Sequence, residues 1–312
     1  MNTNRVVNTK HETPAFLRSV IRWHERHQPV EKAKKWLWIL TRTVLVFGIC
    51  FVILYPIIVK LSIALRDPVD LFDSTVVWIP RTFTMDNIEY VMERLRYPQA
   101  VTNTFLLSIG TAVLQTISCA LAGYGFARLR FPGSNILFAL VVFTIVIPPQ
   151  TIMVPTYLHF RFFDVFGLYG LVTGKSGINL LNSFWPFFIL SAFAVGLKNG
   201  LYIFIFRQFF RGLPKELEEA AYVDSAGIFQ TFYRVVLPNA VPAIATVMLF
   251  SFIWQWNDSY YVSMFAPNHT LLARMLDMLP GAIRPEYVGG IAHTSLYLNT
   301  GILLGILPIF IL

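Results

Sequence analysis

Apolar residues in this chain gather into six long runs, at about 43–65, 101–127, 135–160, 180–210, 239–262 and 289–312, with polar or charged stretches between them. Roughly 20 apolar residues suffice for an α-helix to cross the hydrocarbon core of a bilayer. The pattern therefore predicts an all-α membrane protein with six transmembrane helices. The 27 residues from Val101 to Ala127 carry no formal charge and make the clearest crossing. Lys60 lies near the outer end of the first run, where its long side chain is expected to snorkel. The third run is broken by Pro148, Pro149 and Pro155, with Gln150 beside them. Irregular backbone at membrane depth is tolerated where it is buried or lines a cavity, so this run is expected to line a path through the membrane. A merely kinked structural helix is the alternative. The fourth run is interrupted by Lys198, Asn199 and Gly200 and is expected as one long or broken helix.

Composition agrees with the pattern: 312 residues, 55% hydrophobic, 13% charged and a mean hydropathy of +0.59 lie outside the range of soluble domains. The formal charge of +8 would fit a nucleic-acid binder, but nine Lys and Arg residues fall in the first 42 positions, ahead of the first apolar run. That bias is a topology signal and predicts a basic cytoplasmic tail over 1–42, with no nucleic-acid partner. The part from Phe16 to Val30 is expected either as a basic amphipathic helix on the inner leaflet or as a solvated tail. The tail is too long and too basic for a cleavable signal peptide, so the first helix is expected to be retained. Residues 66–100 reverse the balance, with six acids against four bases, and are expected outside, with a small surface helix from Asp86 to Leu95. Segments 161–176 and 264–290 are the other expected outer loops. Cys50 and Cys119 both lie in apolar runs and are expected to pack there, with no disulfide or metal site. His11, His24 and His27 lack metal-ligand spacing.

Between the fourth and fifth runs comes a charged insert, Arg211 to Pro238. Pro214 suits a first helical position, Glu216, Glu218 and Glu219 favour the positive end of a helix dipole, and Gly227 suits a stop. Leu217, Ala220, Ala221 and Asp224 share one side at helical spacing, and the two alanines leave room for a partner surface to approach. A second amphipathic turn follows from Phe229 to Val236. The segment is expected to be a cytoplasmic docking loop, with an ordinary surface helix-turn-helix as the alternative.

These residues carry a resemblance. Glu219, Ala220, Ala221, Asp224, Ala226, Phe232, Leu237 and Pro238 resemble the EAA loop of permease subunits in bacterial ATP-binding-cassette (ABC) importers. GYGFARLRFPG at Gly123 to Gly133, IPPQTIMVP at Ile147 to Pro155 and IFRQFF at Ile205 to Phe210 resemble the carbohydrate branch, typified by the smaller permease of the maltose importer. Nearly the whole chain is covered. Ser225 stands where the family pattern has glycine, which puts the turn between the two short helices in question. The related permeases continue beyond the equivalent of Leu312, so the resemblance implies a shortened C-terminus.

The resemblance implies a type I ABC importer permease fold in the bacterial inner membrane, multi-pass, with the N-terminus cytoplasmic. It implies four kinds of partner: a second homologous permease subunit, two ATPase subunits, an extracytoplasmic solute-binding protein and the lipid bilayer. ATP and Mg would be bound by the ATPases, and this chain would bind no cofactor. Glu218, Glu219, Ala220, Ala221, Asp224, Ser225 and Gly227 would couple to an ATPase. YGLVTGKS at Tyr169 to Ser176 looks like a phosphate-binding loop, but Tyr169 occupies the place of its first glycine.

For cargo, the fifth run ends in Trp254, Gln255, Trp256, Asn257, Asp258, Tyr260 and Tyr261, aromatic faces beside hydrogen-bonding groups as a sugar requires. An interfacial aromatic belt is the equal alternative. With Gln150, the residues Trp254, Trp256, Asn257, Asp258 and Tyr260 are the expected substrate path. His159, Arg161, Lys175 and Lys198 place positive charge toward the outer half and favour an acidic, alginate-like oligosaccharide, although topology and snorkelling account for them as well. An intramembrane enzyme is disfavoured, since no HExxH, GxSxG or paired intramembrane aspartates occur. A membrane anchoring or signalling subunit is the remaining alternative.

Overall fold

The structure is a computed structural model that describes residues 15–73, 78–165, 167–174, 177–283 and 291–311. Residues 1–14, Lys175, Ser176 and 284–290, on which parts of the expected tail, phosphate-loop decoy and outer loop fall, lie outside the described residues, as does Leu312. The chain divides into two units, 1–59 and 60–312. The first contains most of helix α1, Ala15–Ala64, which begins well before Thr43 and runs on through Pro29. Its portion Glu31–Ala64 is long and apolar enough to cross a membrane, and side chains such as Trp36 and Phe47 are exposed along it. Cys50 is exposed too, so it is not the packing residue the sequence suggested.

In the second unit the helices follow as α2 Asp86–Leu95, α3 Tyr97–Arg128, α4 Ser134–Val146, α5 Met153–Arg161, α6 Leu168–Thr173, α7 Trp185–Ala192 and α8 Asn199–Gly212. They continue as α9 Glu216–Val223, α10 Ile228–Thr231, α11 Leu237–Asn239, α12 Val241–Trp256, α13 Tyr260–Phe265, α14 Leu272–Ala282 and α15 Ile291–Ile311. Among the described residues there is no β-sheet, only two isolated bridges.

The hub is α3, which packs along α7, α8 and α12. Its buried face is a stripe of small and polar residues at helical spacing: Thr104, Ser108, Thr111, Gln115, Cys119 and Gly123. Small residues let helix backbones approach closely where lipid offers no hydrophobic drive. At Gly123 the approach is extreme, because a Cβ there would stand 2.5 Å from the Phe206 Cβ and 3.1 Å from the Arg207 backbone nitrogen. Below this crossing Cys119, Tyr124, Tyr202, Phe206, Phe210, Phe232, Val236 and Val247 form one apolar core.

The third run is two helices, α4 and α5, bent by 105° where Pro148 and Pro149 remove donors and impose a turn. The fourth is broken more fully than an uninterrupted helix over 180–210. α7 ends at Ala192, Ala194 and Lys198 adopt left-handed φ values of 57° and 62°, and α8 then begins at Asn199. Among the described residues three helices are long and apolar enough to cross a membrane, and the two bent pairs raise the number to five by length and composition.

The external reading of 66–100 acquires a specific shape. Asn87 on α2 is buried and donates to the carbonyls of Ala64 and Arg66, closing the end of α1, while Asp70 accepts from the backbone N–H groups of Arg81 and Thr82. Lys60, rather than snorkelling freely, donates to Asn299 Oδ1 at 2.8 Å. Segment 264–290 is more than a loop. Leu271, Leu272, Leu279 and Ile283 recur at helical spacing and are buried, and α14 packs on α15, where Gly301 and Gly305 leave room for Leu276 and Leu279.

Candidate coupling site and membrane path

The charged insert folds as two short helices hung beneath the apolar core. α9 stops as the Ala226 N–H bonds to Ala221 O and the Ser225 N–H to Tyr222 O, both at 3.0 Å, which requires the intervening residue to turn left-handed. That residue is Ser225, with φ 60°, a left-handed conformation that glycine adopts without steric cost. Gly227, expected to end the helix, is instead extended at φ −74° and ψ 166° and accepts the Thr231 N–H, starting α10. The chain then makes a wide π-type turn, Phe232–Val236, whose Phe232 ring packs 4.9 Å from Tyr124 and plugs the loop into the core.

The seven expected coupling residues split between two faces. Glu219, Ala220, Asp224, Ser225 and Gly227 are exposed, whereas Glu218 and Ala221 face inward. Beside the exposed set stand Leu217, Ile228 and, far out, Val223 at 84% and Phe229 at 81% exposure. Acidic and apolar groups thus form one outward surface, the mark of an interaction site. Glu218 turns the other way and pairs with Arg128 at the end of α3, Nε to Oε1 at 2.7 Å, with both side chains about nine-tenths buried. Arg128 Nη2 also donates to Leu213 O at 2.7 Å, and the Tyr124 hydroxyl approaches Glu218 Oε2 at 3.4 Å. Next to the pair opens a cleft of about 880 Å³ whose charged lining is mostly basic: Arg130, Arg207, Arg211 and Lys215.

The expected path residues are dispersed. Gln150 is exposed in the turn after Pro149. Trp254 is half-exposed and the Lys198 ammonium sits 4.8 Å over its ring. Trp256 is buried, packs on Phe252 and donates to Gly305 O, so it faces the interior of the bundle and no cavity. Asn257 is exposed and its amide closes α12 on Ile253 O. Asp258 is buried at the edge of a cavity of about 40 Å³, accepting from the Tyr261 N–H and the Gln255 amide. The Tyr260 hydroxyl lies against Met153 Sδ.

Sequence reasoning missed Gln115 and Ser251, buried partners on α3 and α12, with Gln115 also donating to Leu197 O at the break before α8. The four-residue spacing of polar groups along α3 was the available signal. A larger cleft, about 590 Å³, runs between the bend of α4–α5 and that break, lined by Thr144, Pro148, Lys198, Asn199 and Tyr261.

Two helices with an exposed acidic and apolar face, on a bundle with a broken, cleft-lined interior, invite comparison with known transporters. The pattern of the binding-protein-dependent transport system inner membrane component matches residues 100–311. The chain belongs to that family. This transport component is 32% identical over 191 residues to a probable ABC transporter permease protein of Pyrococcus horikoshii, covering 61% of this chain and 63% of that one. It is 31% identical over 179 residues to the alpha-glucoside transport system permease protein of Rhizobium meliloti, covering 57% of this chain and 44% of that one. The transport component thus spans less than two thirds of the length of either relative. Its fold is shared by a solved bacterial ABC transporter involved in the import of the acidic polysaccharide alginate, with a TM-score of 0.67 at 21% identity over 88% of this chain and 93% of that chain. The all-α type I permease fold implied by the resemblance is the fold of this component.

Proposed function

We propose that this chain is the transmembrane permease subunit of an ATP-driven importer that moves an oligosaccharide of acidic character across the bacterial inner membrane by alternating access. The observation that carries the reading is the outward surface of α9 and α10, where Glu219, Ala220 and Asp224 sit among exposed Leu217, Val223 and Phe229. A surface so apolar and acidic calls for a partner. On this reading it seats in a groove of a cytoplasmic ATPase, with Glu219 making a charge-assisted contact to a basic residue there. ATP and Mg belong to two such ATPases, a second permease completes the path, and a solute-binding protein delivers cargo outside. The basic stretch over 1–42 then lies in the cytoplasm. Closure of the ATPases rotates the loop and, through packed helices, opens the path to the opposite side.

Sugar as cargo is supported by the alpha-glucoside permease relative and by aromatic faces that border polar groups, Trp254 and Tyr261 above all. Acidic character is supported by Lys198, which lines the larger cleft and has no carboxylate partner among the described residues, and by His159 and Arg161 at the end of α5. An ammonium at membrane depth is costly unless it has work to do.

The test is reconstitution with the co-purifying subunits. Glu219→Lys is expected to leave the protein inserted while uptake falls and ATP hydrolysis no longer follows cargo. Undiminished uptake in that variant would remove the docking assignment. Oligouronates should stimulate hydrolysis more than neutral oligosaccharides of equal length, and the reverse order would refute the acidic preference.

A further inference from the structure

Docking at the outer face of α9 transports nothing unless displacement of α9 reaches the helices around the path. Two short connections join α9 to the rest of the chain: Leu213 to Lys215 on one side, and the turn at Asp224 to Gly227 on the other. Besides buried Ala221, the Arg128 side chain fixes its orientation. Its guanidinium meets Glu218 on α9 at 2.7 Å and, through Nη2, the Leu213 carbonyl at the end of α8 at 2.7 Å. One rigid planar group therefore ties α9 to the end of α8 and is rooted in the last turn of α3. α3 in turn packs along α7, α8 and α12, and the start of α8 lines the cleft between the α4–α5 bend and the α7–α8 break.

We propose that the buried Arg128–Glu218 pair is the mechanical joint of this subunit, transmitting movement of α9 to α3, with both residues acting as positioning groups rather than as contacts to ATP or cargo. The inference rests on the docking reading above. Three features favour a joint over a simple stabilising contact. Glu218 points away from the docking surface, so it is free of any role there. Replacing a buried ion pair by apolar groups is often neutral or stabilising, so stability alone does not call for charge at this place. Finally, the pair is directional: the Tyr124 hydroxyl borders Glu218 Oε2, and the Tyr124 ring rests between Phe210 and Phe232, so tilting α9 also turns the core at the foot of α3.

The experiment uses the full assembly in proteoliposomes and four variants: Glu218→Gln, Arg128→Gln, Arg128→Lys and the exchange Arg128→Glu with Glu218→Arg. Three quantities are read for each: bound ATPase, ATP hydrolysis and uptake. Glu218→Gln and Arg128→Gln should keep their ATPases bound and hydrolysing within about twofold of wild type while uptake falls about tenfold or more, within the usual span of coupling between sites. Arg128→Lys keeps the charge but loses the fork to Leu213 O and should fall between them and wild type. The exchange should recover much of the lost uptake. Wild-type uptake in the single variants overturns the proposal. So does loss of bound ATPase together with uptake, or an exchange variant that fails to assemble or to recover, because the pair then serves folding alone. If the wild-type assembly itself shows no ATP-dependent uptake, the functional reading fails first and separately.

Discussion

The close crossing of α3 and α8 can be tested with one methyl group. A Cβ added at Gly123 would lie 2.5 Å from the Phe206 Cβ, 3.1 Å from the Arg207 backbone nitrogen and 3.3 Å from the Ile203 carbonyl oxygen. Carbon atoms pack comfortably at ~3.5–4.0 Å, so the first contact is short by about 1 Å. Two of the three obstacles are backbone, and Phe206 is fully buried, so no side-chain rotation relieves the clash. The helices must move apart, and overpacking of this kind costs about 1–3 kcal/mol. Gly125, two residues on in the same helix, has nothing within 4 Å of its would-be Cβ. Alanine there should gain about 0.5–1 kcal/mol of helix stability. Gly123→Ala receives the same gain but must offset the clash, so the two variants should differ by about 1–3 kcal/mol, roughly a 5–30-fold change in the folded to unfolded ratio for each 1–2 kcal/mol. Thermal loss of the monodisperse peak in detergent measures it. Gly123→Val should fail to assemble. A Gly123→Ala protein as heat-resistant as Gly125→Ala would refute the close crossing.

Other outcomes follow from particular side chains. Ser225 holds a left-handed turn that costs an L-residue about 1–2 kcal/mol, so Ser225→Gly should slow proteolysis of the loop and Ser225→Val should speed it. Trp256→Ala empties a buried site and should cost about 3–5 kcal/mol, seen as loss of assembled protein, whereas Asn257→Ala at the exposed end of α12 should leave assembly intact and alter uptake instead. Equal stability in the two variants would contradict this division.

Much of the architecture was legible because it is local. Apolar run length marked the helices of the bundle, the two adjacent prolines marked the bend of α4–α5, and the Asp86–Leu95 helix has the bounds its pattern implied. The insert also announced itself, since charge followed by Pro, Gly and alternating apolar residues can hardly be a crossing. What escaped was set by partners distant in sequence. Nothing near Glu218 marks it as inward, because its partner Arg128 is 90 residues earlier; Lys60 finds Asn299 at a separation of 239. Trp256 and Asn257 look alike as members of an aromatic and polar cluster, yet helical rotation sends one into the core and leaves the other exposed. The amphipathic pattern of α14 was present in Leu272, Met275, Leu279 and Ile283, but placement outside the apolar runs concealed it. The Ser225 departure was visible, and only backbone geometry could show that this serine turns left-handed.

The most direct measurement of the central claim is thiol accessibility at Val223, which projects from the outward face of α9 at 84% exposure. A Val223→Cys variant carrying Cys50→Ser should react with a membrane-impermeant maleimide only in inside-out vesicles, and bound ATPase subunits should protect it. Reaction from the extracytoplasmic side, or labelling undiminished by bound ATPase, would contradict the account.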